Sequence, residues 1–195
     1  SVSSATRALP FSIAVRSLQR DIICRDPKWA GGDYAVDDPP LEGQRLARKL
    51  GMITYRSAEE FELRFGRERQ SSGENMPGAH LSGDFAVEAY LEAQAQRFVG
   101  QFDANCYLYL SRASDLFDFA EHGGSLEAAF DRLSLDRSTV IGVRTDFLFP
   151  QHQQEALSEG LDRVVDNNEL VILDCLKGHD SFLADMDAFR PVIAR

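Results

Sequence analysis

Two short apolar runs decide the fold: Thr139-Val140-Ile141-Gly142-Val143 and Glu169-Leu170-Val171-Ile172-Leu173-Asp174-Cys175. The first is rich in β-branched residues, and both have the pattern of a strand buried in a parallel sheet. An apolar stripe after Pro150 predicts a helix between them, and a last helix is predicted over 181–193. This alternation indicates an α/β fold. Because two strands alone do not form a stable sheet, we expect its other strands to lie outside this sequence.

The part of the chain before these strands has the pattern of a helical region. Phe11, Val15, Leu18 and Ile22 form the stripe of one buried helix face. The helices predicted in this part cover 8–23, 41–51, 57–66, 84–100 and 103–121. Ser57 and Glu60 have the spacing of a capping box at the start of the third helix. The segment 67–82 is polar and aperiodic, which predicts a loop.

Composition excludes several classes of protein. The 195 residues include 21 Lys and Arg against 31 Asp and Glu, a net charge of −10, which argues against nucleic acid as the main partner. No apolar run approaches the roughly 20 residues of a membrane helix, and no signal-peptide pattern opens the chain. The three cysteines, Cys24, Cys106 and Cys175, are widely spaced. We therefore expect reduced thiols, a cytoplasmic location and no metal site.

Two polar residues follow the predicted strands, where sites form in open α/β sheets. Asp146 comes after the first strand, and His179 comes 33 residues later, after the second. An acid followed by a histidine is the order of the last two members of a Ser…Asp…His triad. In such a triad the carboxylate orients the imidazole, which takes the proton of a serine. Spacing alone leaves open that both are ordinary surface residues. The nucleophile motif G-x-S-x-G does not occur in the sequence.

Several blocks of sequence, in order along the chain, resemble the homoserine O-acetyltransferase family, whose members include serine and homoserine O-succinyltransferases. These blocks are Leu18-Gln19-Arg20-Asp21-Ile22, Asp26-Pro27-Lys28-Trp29-Ala30-Gly31-Gly32-Asp33-Tyr34, Gly51-Met52-Ile53-Thr54-Tyr55-Arg56-Ser57, Val87-Glu88-Ala89-Tyr90-Leu91, Arg97-Phe98-Val99 with Phe102-Asp103-Ala104-Asn105-Cys106-Tyr107, Asp146-Phe147-Leu148-Phe149-Pro150, and Gly178-His179-Asp180-Ser181-Phe182-Leu183.

The resemblance implies an α/β-hydrolase fold with an inserted helical lid. Residues 1–111 would be the lid region, with the end of a core strand at 1–7, and 112–195 would be the C-terminal part of the core. The family's nucleophile and oxyanion hole would lie upstream of Ser1, in a missing N-terminal part of the same protein. We therefore expect this chain to be inactive alone. A homodimer through the lid is a further expectation from the resemblance.

The resemblance also implies an activity. An acyl group would pass from acetyl-CoA or succinyl-CoA, as co-substrate without a bound cofactor, to the side-chain hydroxyl of L-homoserine or L-serine by a ping-pong Ser-Asp-His mechanism. Asp146 and His179 would be catalytic. Arg20 would bind the carboxylate of the amino acid, and Asp180 its ammonium. Such a reaction belongs to methionine or cysteine biosynthesis.

Arg16 departs from the acetyl-transferring members, which tend to carry an uncharged residue at this position. It lies one helical turn before Arg20, on the same face. A second cation here suits the free carboxylate of a succinyl group, so the sequence favours succinyl over acetyl. The segment 1–20 as a whole resembles the serine O-succinyltransferases, but serine and homoserine both stay open as the acceptor. The alternatives are a serine O-succinyltransferase specifically, an esterase of the same fold and a non-catalytic fragment.

Overall fold

The computed structural model describes residues 5–69 and 85–194, which divide into two compact units. The first unit contains 5–14, Thr54–Ser57 and 112–194, and the second contains Val15–Ile53, 58–69 and 85–111. The helices are α1 (Pro10–Cys24), α2 (Leu41–Tyr55), α3 (Ala58–Phe65), α4 (Ala86–Phe98), α5 (Ala104–Leu116), α6 (Leu126–Phe130), α7 (Gln151–Asp162), α8 (Ser181–Ala184) and α9 (Met186–Ile193). The strands are β1 (Ser138–Val143) and β2 (Asn168–Leu173).

The sheet of the first unit is the predicted parallel pair. β1 and β2 pair in register from Ser138 opposite Asn168 to Val143 opposite Leu173, with α7 between them in sequence. Both strands therefore end at the same edge of the sheet. The residues that follow Val143 and Leu173 are brought side by side by this register alone.

Side chains of β1 alternate between two apolar clusters, as a pleated strand requires. Val140 packs with Phe130, Leu161 and Val165, so the α6 and α7 side of the strand is covered. Val143 belongs to a second cluster, with Cys175 and Phe189. Burial on both faces explains why β1 is apolar without interruption from Val140 to Val143.

Three features of the first unit differ from the sequence prediction. The last helix is not continuous over 181–193, because Asp185 adopts φ −140° between α8 and α9. β2 is half-buried rather than buried, and its residue Leu170 is exposed. Within the described residues, β2 pairs with β1 on one side and has no strand on the other. The helix predicted over 103–121 stops at Leu116, and a 3₁₀ turn follows over Phe119–His122. Arg7 forms an isolated antiparallel bridge with Asp118.

The second unit is helical and packs around Ile23, Ala47 and Ala104, which are almost fully buried. Gly43 allows a close crossing, since a Cβ there would lie 3.0 Å from the Cα of Ile23. The carboxylate of Asp26 accepts a hydrogen bond from Gly43 N at 2.7 Å and so holds the first turn of α2.

The predicted helices of the second unit are present with shifted ends. The predicted helix 41–51 continues to Tyr55, and a 3₁₀ helix over Pro27–Gly32 lies between α1 and α2. Residues 70–82 of the predicted 67–82 loop lie outside the described residues, as do 1–4 of the predicted strand end. The assignment of a lid and a core to this chain stays a prediction. Within the described residues, no helix is both long and apolar enough to cross a membrane.

Replacing Gly160 with alanine should destabilise the first unit. A Cβ at Gly160 would lie 2.2 Å from the Phe130 ring, which is 2% exposed and has no room to move. Alanine gains about 1 kcal/mol of helix propensity over glycine, but overpacking a core costs about 1–3 kcal/mol. We therefore expect Gly160→Ala to lower the free energy of unfolding, measured by urea denaturation.

The control is Glu159→Ala, at an exposed neighbouring position of the same helix. This change should stay within about 0.5 kcal/mol. If Gly160→Ala is as stable as the wild type or more stable, α7 does not pack as closely on Phe130 as the structure shows.

Candidate active site

The turn after β1 fixes the carboxylate of Asp146. Its Oδ1 accepts hydrogen bonds from the backbone N–H groups of Leu148 and Phe149, both at 2.9 Å. Its own N–H donates to Val143 O at 3.0 Å, which closes the turn. The side chain is 10% exposed. One oxygen is thus held by the backbone, and the other is directed at a second residue.

That second residue is His179, from the turn after β2. Its Nδ1 lies 2.8 Å from Asp146 Oδ2. A carboxylate at Nδ1 favours the tautomer that carries its proton on Nδ1, which leaves Nε2 as the basic nitrogen. The geometry is that of the acid and the histidine of a catalytic triad. The predicted pairing of Asp146 with His179 across neighbouring strand ends is therefore present in the structure.

Aromatic rings surround the imidazole of His179. The Phe149 ring stacks on it at 5.0 Å between centroids, with an interplanar angle of 26°. Tyr55 and Phe182 approach at 6.2 and 6.4 Å. The side chain of His179 keeps 20% of its surface exposed. These rings restrict its rotation while leaving part of the imidazole accessible.

The hydroxyl of Thr145 joins the two turns. It donates to Cys175 O at 2.6 Å and accepts from Gly178 N at 3.2 Å. Thr145 directly precedes Asp146, and Gly178 directly precedes His179. One side chain thus links the backbones that carry both members of the pair.

Gly178 is required by its conformation and by its neighbours. Its φ is +68°, and a Cβ there would lie 2.7 Å from Ser57 N and 2.8 Å from the carbonyl carbon of Arg56. The Ser57 hydroxyl, expected to cap α3, donates to Leu176 O. The segment Thr54–Ser57 therefore packs directly on the turn that carries His179, in the same unit.

The chain after His179 is held by a polar cluster. Cys175 Sγ lies 3.2 Å from Asp185 Oδ2, and Lys177 Nζ donates to Ala184 O at 2.6 Å. The hydrogen bond from Cys175, helped by the Lys177 ammonium, lowers the pKa of Asp185. These contacts fix the break between α8 and α9 and therefore the end of the histidine turn.

Asp180, the predicted ammonium ligand, sits beside His179 and faces a cation. Its Oδ2 lies 3.9 Å from Arg56 Nε, and both side chains are mostly buried. The other two predicted site residues, Arg16 and Arg20, are half-buried on α1 in the second unit. Arg20 Nη1 donates to Ser111 Oγ at 2.9 Å.

Sequence reasoning did not identify Arg56 or Thr145 as parts of this site. Arg56 lies in the block 51–57, which resembles the acyltransferase family, and this resemblance could have pointed to it. Thr145 gave no signal of its own, because a threonine after a strand is ordinary. Their importance follows from contacts between segments distant in sequence.

Similarity to curated proteins covers the whole chain. The chain is 49% identical over 195 residues to a serine O-succinyltransferase of Litchfieldella anticariensis. This alignment covers 100% of the chain and 53% of that protein. The chain is 48% identical over 194 residues to that of Frateuria aurantia, with 99% and 53% covered. The chain spans about half the length of the curated relatives it matches. No protein-family model matches it.

Solved structures share the fold. A homoserine O-acetyltransferase from Bacillus anthracis superposes with a TM-score of 0.82 at 22% identity, over 97% of this chain and 50% of that one. Esterase E22 superposes with a TM-score of 0.80 at 23% identity, over 97% and 51%. At such identities the likeness establishes the fold, and the expected α/β-hydrolase architecture is confirmed. The chain therefore has the α/β-hydrolase fold of these structures, and along its whole sequence it is similar to about half of each serine O-succinyltransferase.

Proposed function

We propose that the protein containing this chain is a serine O-succinyltransferase, which moves a succinyl group from succinyl-CoA to the hydroxyl of L-serine. The observation that carries the proposal is the Asp146–His179 pair, in a chain 49% identical along its length to a relative of that name. The pair supports acid–base catalysis. The names of the relatives indicate a succinyl group as the acyl group and serine as its acceptor.

The proposed reaction has two half-reactions. In the first, His179 Nε2 takes the proton of a serine that lies outside these 195 residues, and the serine oxygen attacks the thioester. The imidazolium then returns the proton to the leaving CoA sulfur. In the second, His179 takes the proton of the acceptor hydroxyl, which attacks the acyl-serine, and then protonates the enzyme serine as it leaves. Asp146 stabilises the imidazolium in both halves.

The resemblance to the acyltransferases assigns substrate-binding roles to three charged residues of this chain. Asp180 binds the ammonium of the amino acid and Arg20 its carboxylate, since each charge needs an opposite one. Arg16, one turn before Arg20 on α1, binds the free carboxylate of the succinyl group. The product carries a carboxylate leaving group on its side chain, which suits displacement by sulfur in cysteine synthesis.

Activity of the full-length protein tests the donor and the acceptor. We expect continuous CoA release beyond a first burst to require an amino acid, to be faster with succinyl-CoA than with acetyl-CoA, and faster with L-serine than with L-homoserine. The measurement is thiol release with all four pairs of substrates. Release of free acid at a rate independent of added amino acid would contradict the proposal and identify an esterase instead.

Asp146→Asn should reduce kcat by about 10³–10⁴-fold. The neutral amide favours the wrong tautomer of His179 and cannot stabilise the imidazolium. Folding should be retained, since the amide oxygen can still accept from Leu148 and Phe149. The measurement is steady-state acyl transfer by the full-length protein. Asp174→Asn, at an exposed position past the end of β2, is the control and should keep normal activity. Normal turnover by Asp146→Asn would exclude Asp146 from the mechanism.

Thr145→Val should lower kcat by about 10-fold or more, because the isosteric side chain cannot join the turns of Asp146 and His179. Thr145→Ser keeps the hydroxyl and should preserve most of the activity. Thr139→Val, an exposed threonine of β1, is the control and should be neutral. If Thr145→Val is as active as Thr145→Ser, the hydroxyl bridge does not position the pair.

A further inference from the structure

We infer that Arg56 is a positioning residue for the acceptor site: its charge holds the carboxylate of Asp180 in the orientation that receives the ammonium of the amino acid. This inference rests on the proposed function and adds a residue to it. Arg56 is not expected to touch the reacting atoms. The structural basis is the ion pair between Arg56 and Asp180, with Asp180 directly following His179.

The backbone around Arg56 is fixed against the histidine turn. Thr54–Ser57 belongs to the same unit as His179. The Tyr55 ring lies 6.2 Å from the imidazole, and the Ser57 hydroxyl donates to Leu176 O. Gly178 approaches the backbone of Arg56 and Ser57 as closely as a residue without a Cβ can. Arg56 is therefore held between two residues that contact the turn, which gives its guanidinium a defined location beside Asp180.

Burial makes this ion pair stronger than others of similar length. Arg56 and Asp180 are 16% and 20% exposed, whereas Arg163 and Asp131, whose charged atoms are also 3.9 Å apart, are 54% and 59% exposed. Exposed pairs are screened by water and contribute little. A pair shielded from water is screened less, so Arg56 constrains its partner more than Arg163 does.

Asp180 needs such a constraint because of its location. It is the last residue of the short 3₁₀ turn Gly178–Asp180 and directly precedes α8. Its carboxylate can rotate about two side-chain bonds, and the adjacent imidazole becomes positively charged during each half-reaction. The Arg56 guanidinium, with its Nε 3.9 Å from Asp180 Oδ2, competes with the imidazolium for this carboxylate. The consequence falls on the half-reaction that uses the amino acid.

The test compares Arg56→Gln, Arg56→Lys and the wild type in the full-length protein. We expect Arg56→Gln to raise KM for L-serine roughly tenfold with a smaller change in kcat. The burst of CoA release from succinyl-CoA without amino acid should be unchanged, because that half-reaction does not use Asp180. Arg56→Lys retains the charge and should restore most of the affinity. The control is Arg163→Gln, which removes the cation of the exposed Arg163–Asp131 pair and should leave KM as in the wild type.

A double variant separates an effect through Asp180 from an independent one. If Arg56 acts through Asp180, Arg56→Gln with Asp180→Asn should bind L-serine no more weakly than Asp180→Asn alone. Additive losses, an unchanged KM in Arg56→Gln, or a lost CoA burst would each overturn the inference while the acyltransferase activity of the wild type stands. An inactive wild type would instead overturn the proposed function, and the inference with it.

Discussion

The parallel pairing of β1 with β2 is the constraint on which the site depends. Their register places Val143 opposite Leu173, so that the chain leaves both strands at one edge of the sheet. Asp146 is three residues beyond one strand end, and His179 is six residues beyond the other. A shift of register by one residue would turn each side chain of the shifted strand to the opposite face. Such a shift would remove Val140 and Val143 from the separate clusters in which they pack, so the core that stabilises the unit also aligns the pair.

Local contacts refine what the sheet provides. The backbone donors of Leu148 and Phe149 orient one oxygen of Asp146, and the Thr145 hydroxyl joins the turns behind both residues. The positive φ of Gly178 lets the histidine turn meet the backbone of Thr54–Ser57. A catalytic histidine must be placed to within a fraction of an ångström. In this unit that placement comes from hydrogen bonds between side chains and backbone, from close packing, and from the contact between Asp146 and His179.

The sequence predicted those parts of the structure that depend on local pattern. Apolar periodicity located β1, β2 and the helices, and the position of polar residues after two strands predicted the contact between Asp146 and His179. It did not predict the break at Asp185, whose cause includes the contact of its side chain with Cys175, ten residues away. It gave no sign that the Ser57 hydroxyl donates to Leu176 O, 119 residues along the chain. Arg56 was missed for the same reason, since tertiary contacts leave no periodicity in a sequence.

In the proposed mechanism, Asp146 orients His179 as the base for a serine outside these 195 residues. A crystal structure of the full-length protein would show whether such a serine reaches the imidazole. We expect the Oγ of a serine on a tight strand-to-helix turn to lie within about 3.2 Å of His179 Nε2, with Asp146 still hydrogen-bonded to Nδ1. A structure in which no serine hydroxyl reaches Nε2, or in which Asp146 and His179 are separated, would contradict the account.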